Sequence, residues 1–289
     1  MMSARFLTVV LERAFNMRDG FGREIDYMRI SVIDSCNLNC YYCNPCDNNE
    51  HCHALNILSV KEVLCIVRAA TRLGIKHFRL TGGEPLLHPQ LDEMVLQIKK
   101  IPGVSSVSLT TNAVLLVQHA KWLKEAGIDS INVSLDTIEA SEYERITKKP
   151  LLEEVKHGIN AAIECGIRVK INVVLTPQTD VVALTRYVAK KGTDIRFIEM
   201  MPVGEGHTNG VEPYKKVIGT LSKLYGEPCR INTEKTKEIN SGNDKRKIPD
   251  NGPAEYYIFP ELGIRVGLIQ AIHGKFCDTC NRIRVTADG

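Results

Sequence analysis

The stretch MRISVIDSCNLNCYYC, residues 28–43, joins a run rich in β-branched residues to three closely spaced cysteines. Residues 28–33 predict a short strand, because isoleucine and valine are enriched in strands. Cys36, Cys40 and Cys43 follow at C-x3-C-x2-C spacing in the loop after that strand. Thiols this crowded indicate an inorganic centre at the end of the first strand.

Three interpretations of this cysteine loop compete. A structural zinc site needs four closed ligands and would use Cys46 as the fourth. A ferredoxin-like cluster also needs four thiolates, and Cys40, Cys43 and Cys46 form a C-x2-C-x2-C run, but the Cys-Pro ending is missing. The third interpretation is a four-iron cluster with three protein thiolates, which leaves one iron open for a substrate.

Downstream of this loop, short β-branched runs alternate with amphipathic segments. Ser59, Glu62 and Gly74 give the first amphipathic segment a capping box and a stop signal. Six such units in series predict an α/β protein with a parallel sheet, either open or curled into a barrel. The predicted strands are 28–33, 77–82, 106–111, 130–136, 168–175 and 194–200, and the predicted helices lie near 59–74, 89–100, 115–126, 151–165 and 180–191.

The pattern changes after about residue 225. Residues 232–253 are charged and punctuated by Gly and Pro, which indicates a loop or a lid. The strand-like runs AEYYIF, IRVGLIQAI and NRIRVTA follow. We therefore expect two regions, residues 1–225 and a smaller β-rich region over residues 226–289.

Charge and composition narrow the classes of function. The 37 basic and 34 acidic residues nearly balance, so broad attraction to nucleic acid or membranes is not expected and any anion site must be local. No run approaches the roughly 18 apolar residues of a membrane helix, and Glu12 and Arg13 interrupt the apolar start, which disfavours a secretory signal. We predict a cytoplasmic protein, in which ten cysteines favour metal sites over disulfides.

Two further motifs carry polar groups at strand ends. In TGGEP, residues 81–85, Gly82 and Gly83 allow close approach of a ligand to the backbone, and Glu84 can accept from an ammonium. The alternative is a plain strand-to-helix turn. Lys170, inside the apolar run VKINVVL, is costly to bury unless paired, so we expect a phosphate partner or, alternatively, a surface position for its ammonium.

A second cysteine pair lies near the end of the sequence. Cys277 and Cys280 directly precede a predicted strand on which Arg282 and Arg284 point to the same face. Two guanidiniums beside a metal site favour an anionic substrate such as a phosphate ester. The alternative is a solvated strand face.

The cysteine loop, with the aromatic Tyr42 before its last cysteine, and the TGGEP motif resemble the radical S-adenosylmethionine superfamily. Within it, the chain resembles the GTP 3′,8-cyclase family of molybdenum-cofactor biosynthesis. The motifs that carry this resemblance, in order, are MRISVIDSCNLNCYYCNP, FRLTGGEPLL, LTTNA, INVSLDT, VKINVVL, IRFIEMMPVG and FCDTCNRIRVTADG.

This resemblance implies an incomplete (β/α)6 TIM-like barrel whose C-terminal region carries a second iron–sulfur site. The implied enzyme converts GTP to 3′,8-cyclo-7,8-dihydro-GTP, the first step of molybdopterin synthesis. Its implied cofactors are two 4Fe-4S clusters and S-adenosylmethionine, which chelates the open iron of the first cluster.

The resemblance also implies residue roles. The first cluster would use Cys36, Cys40 and Cys43, and the second would use Cys277 and Cys280. S-adenosylmethionine would meet Tyr42, Gly83, Ser134 and Met201. GTP would meet Arg29, Arg79, Thr110, Lys170, Arg282 and Arg284. The implied partners are an electron donor such as flavodoxin or ferredoxin, the cyclic pyranopterin monophosphate synthase as pathway partner, and a second copy in a homodimer, with no nucleic acid or membrane.

The chain departs from the family pattern in three places. In the family pattern thirteen residues separate Cys280 from the third ligand of the second cluster, which would fall at position 294, beyond Gly289, so we expect a fragment or a shortened protein, with Cys229 as an unsupported substitute. Ala113 replaces a glycine of the family pattern, which questions only the local turn. The stretch Cys46, His51, Cys52, His53 is unusual for the family and has three interpretations, a metal site, a redox-sensitive loop or chance; chance is favoured because adjacent His and Cys rarely converge on one ion.

Two alternatives to the cyclase remain. One is a radical S-adenosylmethionine peptide-modifying maturase with an auxiliary cluster, although such proteins usually have a more cysteine-rich tail. The other is a non-catalytic iron–sulfur or zinc-binding module that uses Cys36, Cys40, Cys43 and Cys46. Only an enzyme with an open iron should change its cluster spectrum when S-adenosylmethionine is added.

Overall fold

The computed structural model of the protein describes residues 17–43, 56–201, 213–231, 253–274 and 276–289. Cys46, His51, Cys52 and His53, and nearly all of the predicted loop 232–253, lie outside these ranges. The strands are β1 Tyr27–Ser31, β2 His77–Thr81, β3 Ser106–Thr111, β4 Ser130–Ser134, β5 Arg168–Leu175, β6 Asp194–Glu199, β7 Cys229–Ile231, β8 Glu255–Ile258, β9 Arg265–Ile269 and β10 Arg282–Val285. The helices are α1 Val60–Arg72, α2 Leu91–Lys99, α3 Leu116–Glu125, α4 Ala140–Thr147, α5 Leu152–Glu164, α6 Val181–Lys190 and α7 Pro213–Tyr225.

All ten strands belong to one sheet, in the order β10-β1-β2-β3-β4-β5-β6-β9-β8-β7. Strands β1 to β6 pair in parallel with their sequence neighbours, which confirms the parallel sheet predicted from the six βα units. Strand β9 pairs in parallel with β6, and β10 pairs in parallel with β1. The C-terminal strands therefore extend both edges of the sheet, which curls into a partial barrel that is not closed.

Helix α1 illustrates how local sequence signals set the element bounds. The Ser59 hydroxyl accepts from the Glu62 amide at 3.3 Å, and the Glu62 carboxylate accepts from the Ser59 amide at 2.8 Å. Gly74, with φ of +91°, follows the helix end in the left-handed region that favours glycine. The predicted capping box and stop signal are both confirmed.

The two faces of the sheet differ in polarity, and this difference places the site. Alternate strand residues such as Ile30, Leu80 and Leu109 are fully buried between the sheet and the helices. Each such side chain contributes about 1.5–3 kcal/mol of transfer free energy. The intervening residues, among them Arg29, Arg79, Ser108 and Thr110, line the concave face instead. The apolar layer thus holds the barrel together and leaves its interior polar.

Two helices, α4 and α7, were not predicted from the sequence. Helix α4 has only eight residues and no side-chain cap at Glu139, so it lacks a sequence start signal. It buries Tyr143, Ile146 and Thr147. Helix α7 follows the predicted strand 194–200 and completes the sixth βα unit, but no helix was predicted at residues 213–225. The division of the chain at residues 225 and 226 stays a prediction, although β8, β9 and β10 are continuous with the main sheet.

None of the helices in the described ranges has the length and apolarity needed to cross a membrane.

Candidate functional site

The concave face of the sheet encloses a cavity of about 680 Å³. This volume lies in the range of small-molecule and cofactor pockets. Residues from β1 to β6 and from β10 contribute to its wall, and the cysteine loop lies at the carboxyl ends of the strands. Functional side chains gather at this end in β/α barrels.

Cys36, Cys40 and Cys43 all line the cavity. Burial raises the pKa of the Cys40 thiol to about 12, and the Asp136 carboxylate and the other two thiols add to the rise. Thiolates at these positions therefore need a compensating cation. Among the described residues, no three His, Cys, Asp or Glu side chains stand close enough to hold a single metal ion. The cysteine loop itself supplies three thiols as donors, a set that fits an iron–sulfur cluster.

The cysteine loop is held from several sides by the protein. The Asn112 side-chain amide, after β3, donates to the Asn37 side chain at 2.7 Å. The amides of Asn39 and Tyr41 donate to the carbonyls of Thr147 and Ile146 at the end of α4, at 3.0 and 3.1 Å. The backbone of the loop is thus fixed by contacts that do not need a bound metal.

Asp136, after β4, ties the loop to the sheet through Tyr42. The Tyr42 hydroxyl donates to one Asp136 oxygen, and the Val174 amide donates to the other at 2.7 Å. Burial raises the pKa of Asp136 to about 6, while these two donors lower it. Asp136 belongs to the INVSLDT motif, yet sequence reasoning missed it because its partners come from two other parts of the chain.

Gly82 and Gly83 bring the end of β2 against the start of the cysteine loop. A Cβ on Gly83 would lie 2.1 Å from the Ser35 carbonyl oxygen, and one on Gly82 would lie 2.3 Å from the Ile33 carbonyl oxygen. The Gly83 amide donates to the Ile33 carbonyl at 2.8 Å. The close approach that we expected toward a ligand is therefore made to backbone, while Gly83 also lines the cavity.

We predict that Gly83→Ala displaces the cysteine loop and lowers the iron content of the anaerobically reconstituted protein. Overpacking of this kind costs about 1–3 kcal/mol. Gly219→Ala, in α7, is the matched control, because a Cβ there meets nothing within 4 Å. Iron analysis and the visible absorption of the cluster give the readout. Full iron loading of Gly83→Ala would show that the contact with Ser35 is not limiting.

The Glu84 carboxylate is 1% exposed and is bonded within the protein. It accepts from Thr111 Oγ1 at 2.7 Å, from the Asn112 amide at 2.7 Å and from the Leu86 amide at 3.0 Å. Burial raises its pKa to about 7, and the three donors lower it. The observed role of Glu84 is to join the ends of β2 and β3 beneath the cysteine loop, rather than to offer a vacant acceptor.

Glu84→Gln should lower the free energy of unfolding by about 1–3 kcal/mol. In glutamine an amide nitrogen replaces one of the two carboxylate oxygens. Depending on the orientation of the amide, this nitrogen faces either the Leu86 and Thr111 donors or the Asn112 donor, and hydrogen bonds to those donors are lost. Urea unfolding of the metal-free protein measures the change, and Glu93→Gln on the exposed side of α2 serves as the control. Equal stabilities for the two variants would contradict the assigned role.

A row of basic side chains crosses the sheet at one level. The strand register aligns Arg284 with Arg29, Arg29 with Arg79, Arg79 with Ser108, Ser108 with Ser130, and Ser130 with Arg168. We call the four arginines of this register line, Arg284, Arg29, Arg79 and Arg168, the arginine row. All but Arg284 line the cavity.

Electrostatic repulsion within the arginine row shows in Arg29. Burial lowers its pKa to about 10, and the charges of Arg284 and Arg79 lower it further. Its Nε atom is buried and has no hydrogen-bond partner among the described residues. Arg79 donates from Nε to Ser108 Oγ at 3.0 Å and lies over the Tyr27 ring. Such a concentration of cations is suited to a polyanion.

Lys170 lies on β5 two residues after Arg168 of the arginine row, and its side chain is buried, at 4% exposure. Its ammonium lies 5.7 Å from the centre of the Tyr256 ring, at cation–π distance. The alternative of a surface lysine is therefore wrong. Lys170 is buried and lines the cavity, but binding of a phosphate to its ammonium stays a prediction.

The structure does not bring every expected residue to the cavity wall. Tyr42, Gly83, Ser134, Thr110 and Arg282 line it, whereas Met201 is 53% exposed and Arg284 is exposed on the edge strand β10. Neither Cys277 nor Cys280 belongs to the wall. Both cysteines come before β10, whereas Cys36, Cys40 and Cys43 follow β1, so the two groups lie at opposite ends of the parallel pair.

The second cysteine group has its own basic surroundings. The pKa of Cys280 is lowered: burial would raise it, but hydrogen bonds from Arg282 and the nearby Arg23 charge prevail. The Arg23 side chain donates to the Cys277 carbonyl, and the Asn281 side chain donates to Asp26 at 2.6 Å. The segment before β1 therefore supports this second loop.

Several wall residues were not singled out from the sequence. They are His77, Asn112, Asp136, Arg168, Asn172 and Arg196. One signal was available, because Arg168, Lys170 and Asn172 alternate along β5 and must share a face. Polar residues at alternate positions of an otherwise buried strand indicate a polar interior.

Two family comparisons match the chain along most of its length. Residues 30–184 match the Radical SAM superfamily, and residues 193–289 match Molybdenum Cofactor Synthesis C. The GTP 3′,8-cyclase of Clostridium perfringens strain SM101 is 37% identical over 276 residues, which cover 94% of this chain and 81% of that protein. The GTP 3′,8-cyclase of Pelotomaculum thermopropionicum is 38% identical over 280 residues, with 94% and 82% coverage.

Solved structures share the fold. Native anSMEcpe with bound AdoMet superposes with a TM-score of 0.56 at 19% identity, covering 69% of this chain and 60% of that one. Streptococcus suis SuiB bound to S-adenosylmethionine gives 0.56 at 17% identity, and the match spans 69% of this chain but only 47% of SuiB. Methylornithine synthase gives 0.54 at 16% identity, covering 78% and 71%. These likenesses establish a shared partial-barrel architecture.

Proposed function

This chain belongs to the radical SAM superfamily and, within it, to the GTP 3′,8-cyclase family, and from that membership we propose that it converts GTP to 3′,8-cyclo-7,8-dihydro-GTP. This is the first step of molybdenum-cofactor synthesis. The observation that carries the proposal is one cavity that has three thiols at one end and Arg29, Arg79 and Arg168 of the arginine row farther from that end.

The cysteine loop is the proposed site of the first 4Fe-4S cluster, with Cys36, Cys40 and Cys43 as its ligands. When bound, the cluster and S-adenosylmethionine supply reductive cleavage of the sulfonium to methionine and a 5′-deoxyadenosyl radical. The contacts of Asn37, Asn39 and Tyr42 fix the backbone of the loop before loading, so the reordering on loading falls on the cysteine side chains. Deprotonation of the thiols accompanies metal binding.

We propose that S-adenosylmethionine lies beside the cysteine loop against Tyr42, Gly83 and Ser134, with Met201 at the outer edge. Three of these four residues line the cavity near the strand ends. Asp136 holds the Tyr42 ring in place, and Glu84 fixes the TGGEP turn that carries Gly83. The protein's part is to position the ligand and to exclude water from the reactive carbon.

GTP is the proposed occupant of the part of the cavity at the level of the arginine row, away from the cysteine loop. Its triphosphate would be held by Arg29, Arg79, Lys170, Arg282 and Arg284, and Thr110 would add a hydroxyl contact. Arg168 and Arg196 line the same wall and extend the basic surface. Because the chain carries a net charge of only +3, this local concentration of cations is the feature that favours a polyanionic substrate over a peptide.

A second 4Fe-4S cluster is proposed at Cys277 and Cys280. Arg282 and Arg23 favour the thiolate of Cys280, as cluster ligation requires. Arg282 also lines the cavity, together with Pro253 and Ile269 of the C-terminal region. A flavodoxin or ferredoxin is the proposed electron donor, the cyclic pyranopterin monophosphate synthase the proposed pathway partner, and a homodimer the proposed assembly.

The test is anaerobic reconstitution with iron and sulfide, followed by incubation with GTP, S-adenosylmethionine and a reductant. We expect 5′-deoxyadenosine and an isomer of GTP that has the mass of GTP but a different retention time. Formation of 5′-deoxyadenosine without a GTP-derived product, together with its stimulation by a peptide, would favour the maturase alternative. Omission of S-adenosylmethionine is the control.

A further inference from the structure

Directly beneath the cavity wall lies a buried amide that the proposed function has not used. Asn132, in the middle of β4, is 1% exposed. Neither its Nδ2 nor its Oδ1 atom has a hydrogen-bond partner among the residues that the structure describes. A buried, unsatisfied amide is costly, so its retention calls for a partner that the protein itself does not supply.

The side chain of Asn132 lies on the cavity side of β4, beneath the wall residues, rather than in the apolar layer. It shares a strand face with Ser130 and Ser134, two positions away on either side, and both of those residues line the cavity. Its register neighbours, Thr110 on β3 and Lys170 on β5, also line it. The same-face neighbours of Asn132 along β4 and its register neighbours on both adjacent strands therefore all line the cavity.

The level of Asn132 lies between the two ends of the site. Ser130 belongs to the register line of the arginine row, and Ser134 lies at the end of β4 nearest the cysteine loop. At about 3.3 Å per residue, Asn132 is about 7 Å from each. A nucleoside triphosphate held by its phosphates at the arginine row would extend toward the cysteine loop at this level.

Radical chemistry sets which part of the substrate reaches this level. A hydrogen atom is abstracted over contact distance, so the reacting sugar must be the part of GTP closest to the cysteine loop. An amide offers a donor and an acceptor together, which matches a hydroxyl pair better than it matches a phosphate. From these observations we infer that Asn132 binds the ribose hydroxyls of GTP and orients the sugar for hydrogen abstraction. The inference rests on the proposed function.

The test uses Asn132→Leu, which keeps the size of the side chain and removes its polar atoms. Thr185→Val in α6 is the matched control, because Thr185 is also fully buried and its hydroxyl also has no partner in the described chain. Equilibrium binding of GTP, 2′-deoxy-GTP and 3′-deoxy-GTP is measured anaerobically on the reconstituted protein, and melting temperatures are measured without nucleotide.

Asn132→Leu should weaken GTP binding about tenfold, and Thr185→Val should leave it unchanged. The unsubstituted protein should bind at least one deoxy analogue about tenfold more weakly than GTP, a preference that Asn132→Leu should lose. Neither variant should lower the melting temperature, because each removes a buried unsatisfied group.

Three results would overturn the inference. They are unchanged GTP affinity in Asn132→Leu, an equal loss for all three nucleotides, and a lower melting temperature for Asn132→Leu alone, which would indicate a structural amide bonded through water. Failure of the unsubstituted protein to bind GTP at all would instead overturn the proposed function, and this inference with it.

Discussion

Serine at Cys36, Cys40 or Cys43 should abolish the first cluster and, with it, all formation of 5′-deoxyadenosine. A hydroxyl is a poor substitute for a thiolate at an iron–sulfur cluster, and each cysteine of the C-x3-C-x2-C loop is assigned one iron. The measurements are anaerobic iron content, visible absorption and release of 5′-deoxyadenosine. We expect the release to fall below detection in each variant.

The controls separate the cluster ligands from other cysteines. Cys65→Ser on α1 changes an exposed thiol outside the cavity and should retain full activity. Cys46→Ser should also retain the first cluster, although residue 46 lies outside the described ranges. Loss of the first cluster in Cys46→Ser, as complete as that in Cys40→Ser, would contradict the open-iron assignment and favour a four-thiolate centre.

Arg29→Ala should weaken GTP binding by roughly 30- to 150-fold. Loss of a charge-assisted hydrogen bond costs about 2–3 kcal/mol, and each 1.4 kcal/mol is a tenfold change in affinity. Arg29 lies inside the arginine row, and its pKa is lowered first by burial and then by the charges of Arg284 and Arg79, which a triphosphate would offset. Arg284→Ala should have a smaller effect, because Arg284 is exposed on an edge strand.

Arg230→Ala is the matched control for both arginines. Arg230 pairs with Glu255 at 2.6 Å, but both side chains are largely exposed and lie outside the cavity wall. Such a pair contributes about 0–1 kcal/mol to stability. GTP affinity within a factor of two of the unsubstituted protein is expected for Arg230→Ala. If Arg29→Ala also binds GTP within a factor of two of the unsubstituted protein, at unchanged melting temperature, the arginine row is not part of the substrate site.

Local signals made most of the fold predictable. The bounds of β3 and β5 match the predicted 106–111 and 168–175, because β-branched residues and flanking turn residues mark both ends of these strands. The capping box of α1 and the glycine after it are likewise local. Helix α4 was missed because eight residues without a capping side chain leave little periodicity to detect.

The site was predictable only where a motif was contiguous. The cysteine loop and the TGGEP turn are short stretches, whereas Asp136 acquires its meaning from Tyr42, which lies 94 residues away in the sequence. The arginine row depends on the register of separate strands, which no single segment contains. The role of Glu84 was likewise hidden, because its donors on Thr111 and Asn112 come from another strand end.

The most direct test of the account follows one hydrogen atom. The reconstituted protein is incubated anaerobically with S-adenosylmethionine, a reductant and GTP carrying deuterium at C3′, and the mass of the 5′-deoxyadenosine is measured. The account predicts that the 5′-deoxyadenosine gains one deuterium while GTP is converted to the cyclised isomer. Release of 5′-deoxyadenosine without deuterium, from a protein that binds GTP, would contradict it.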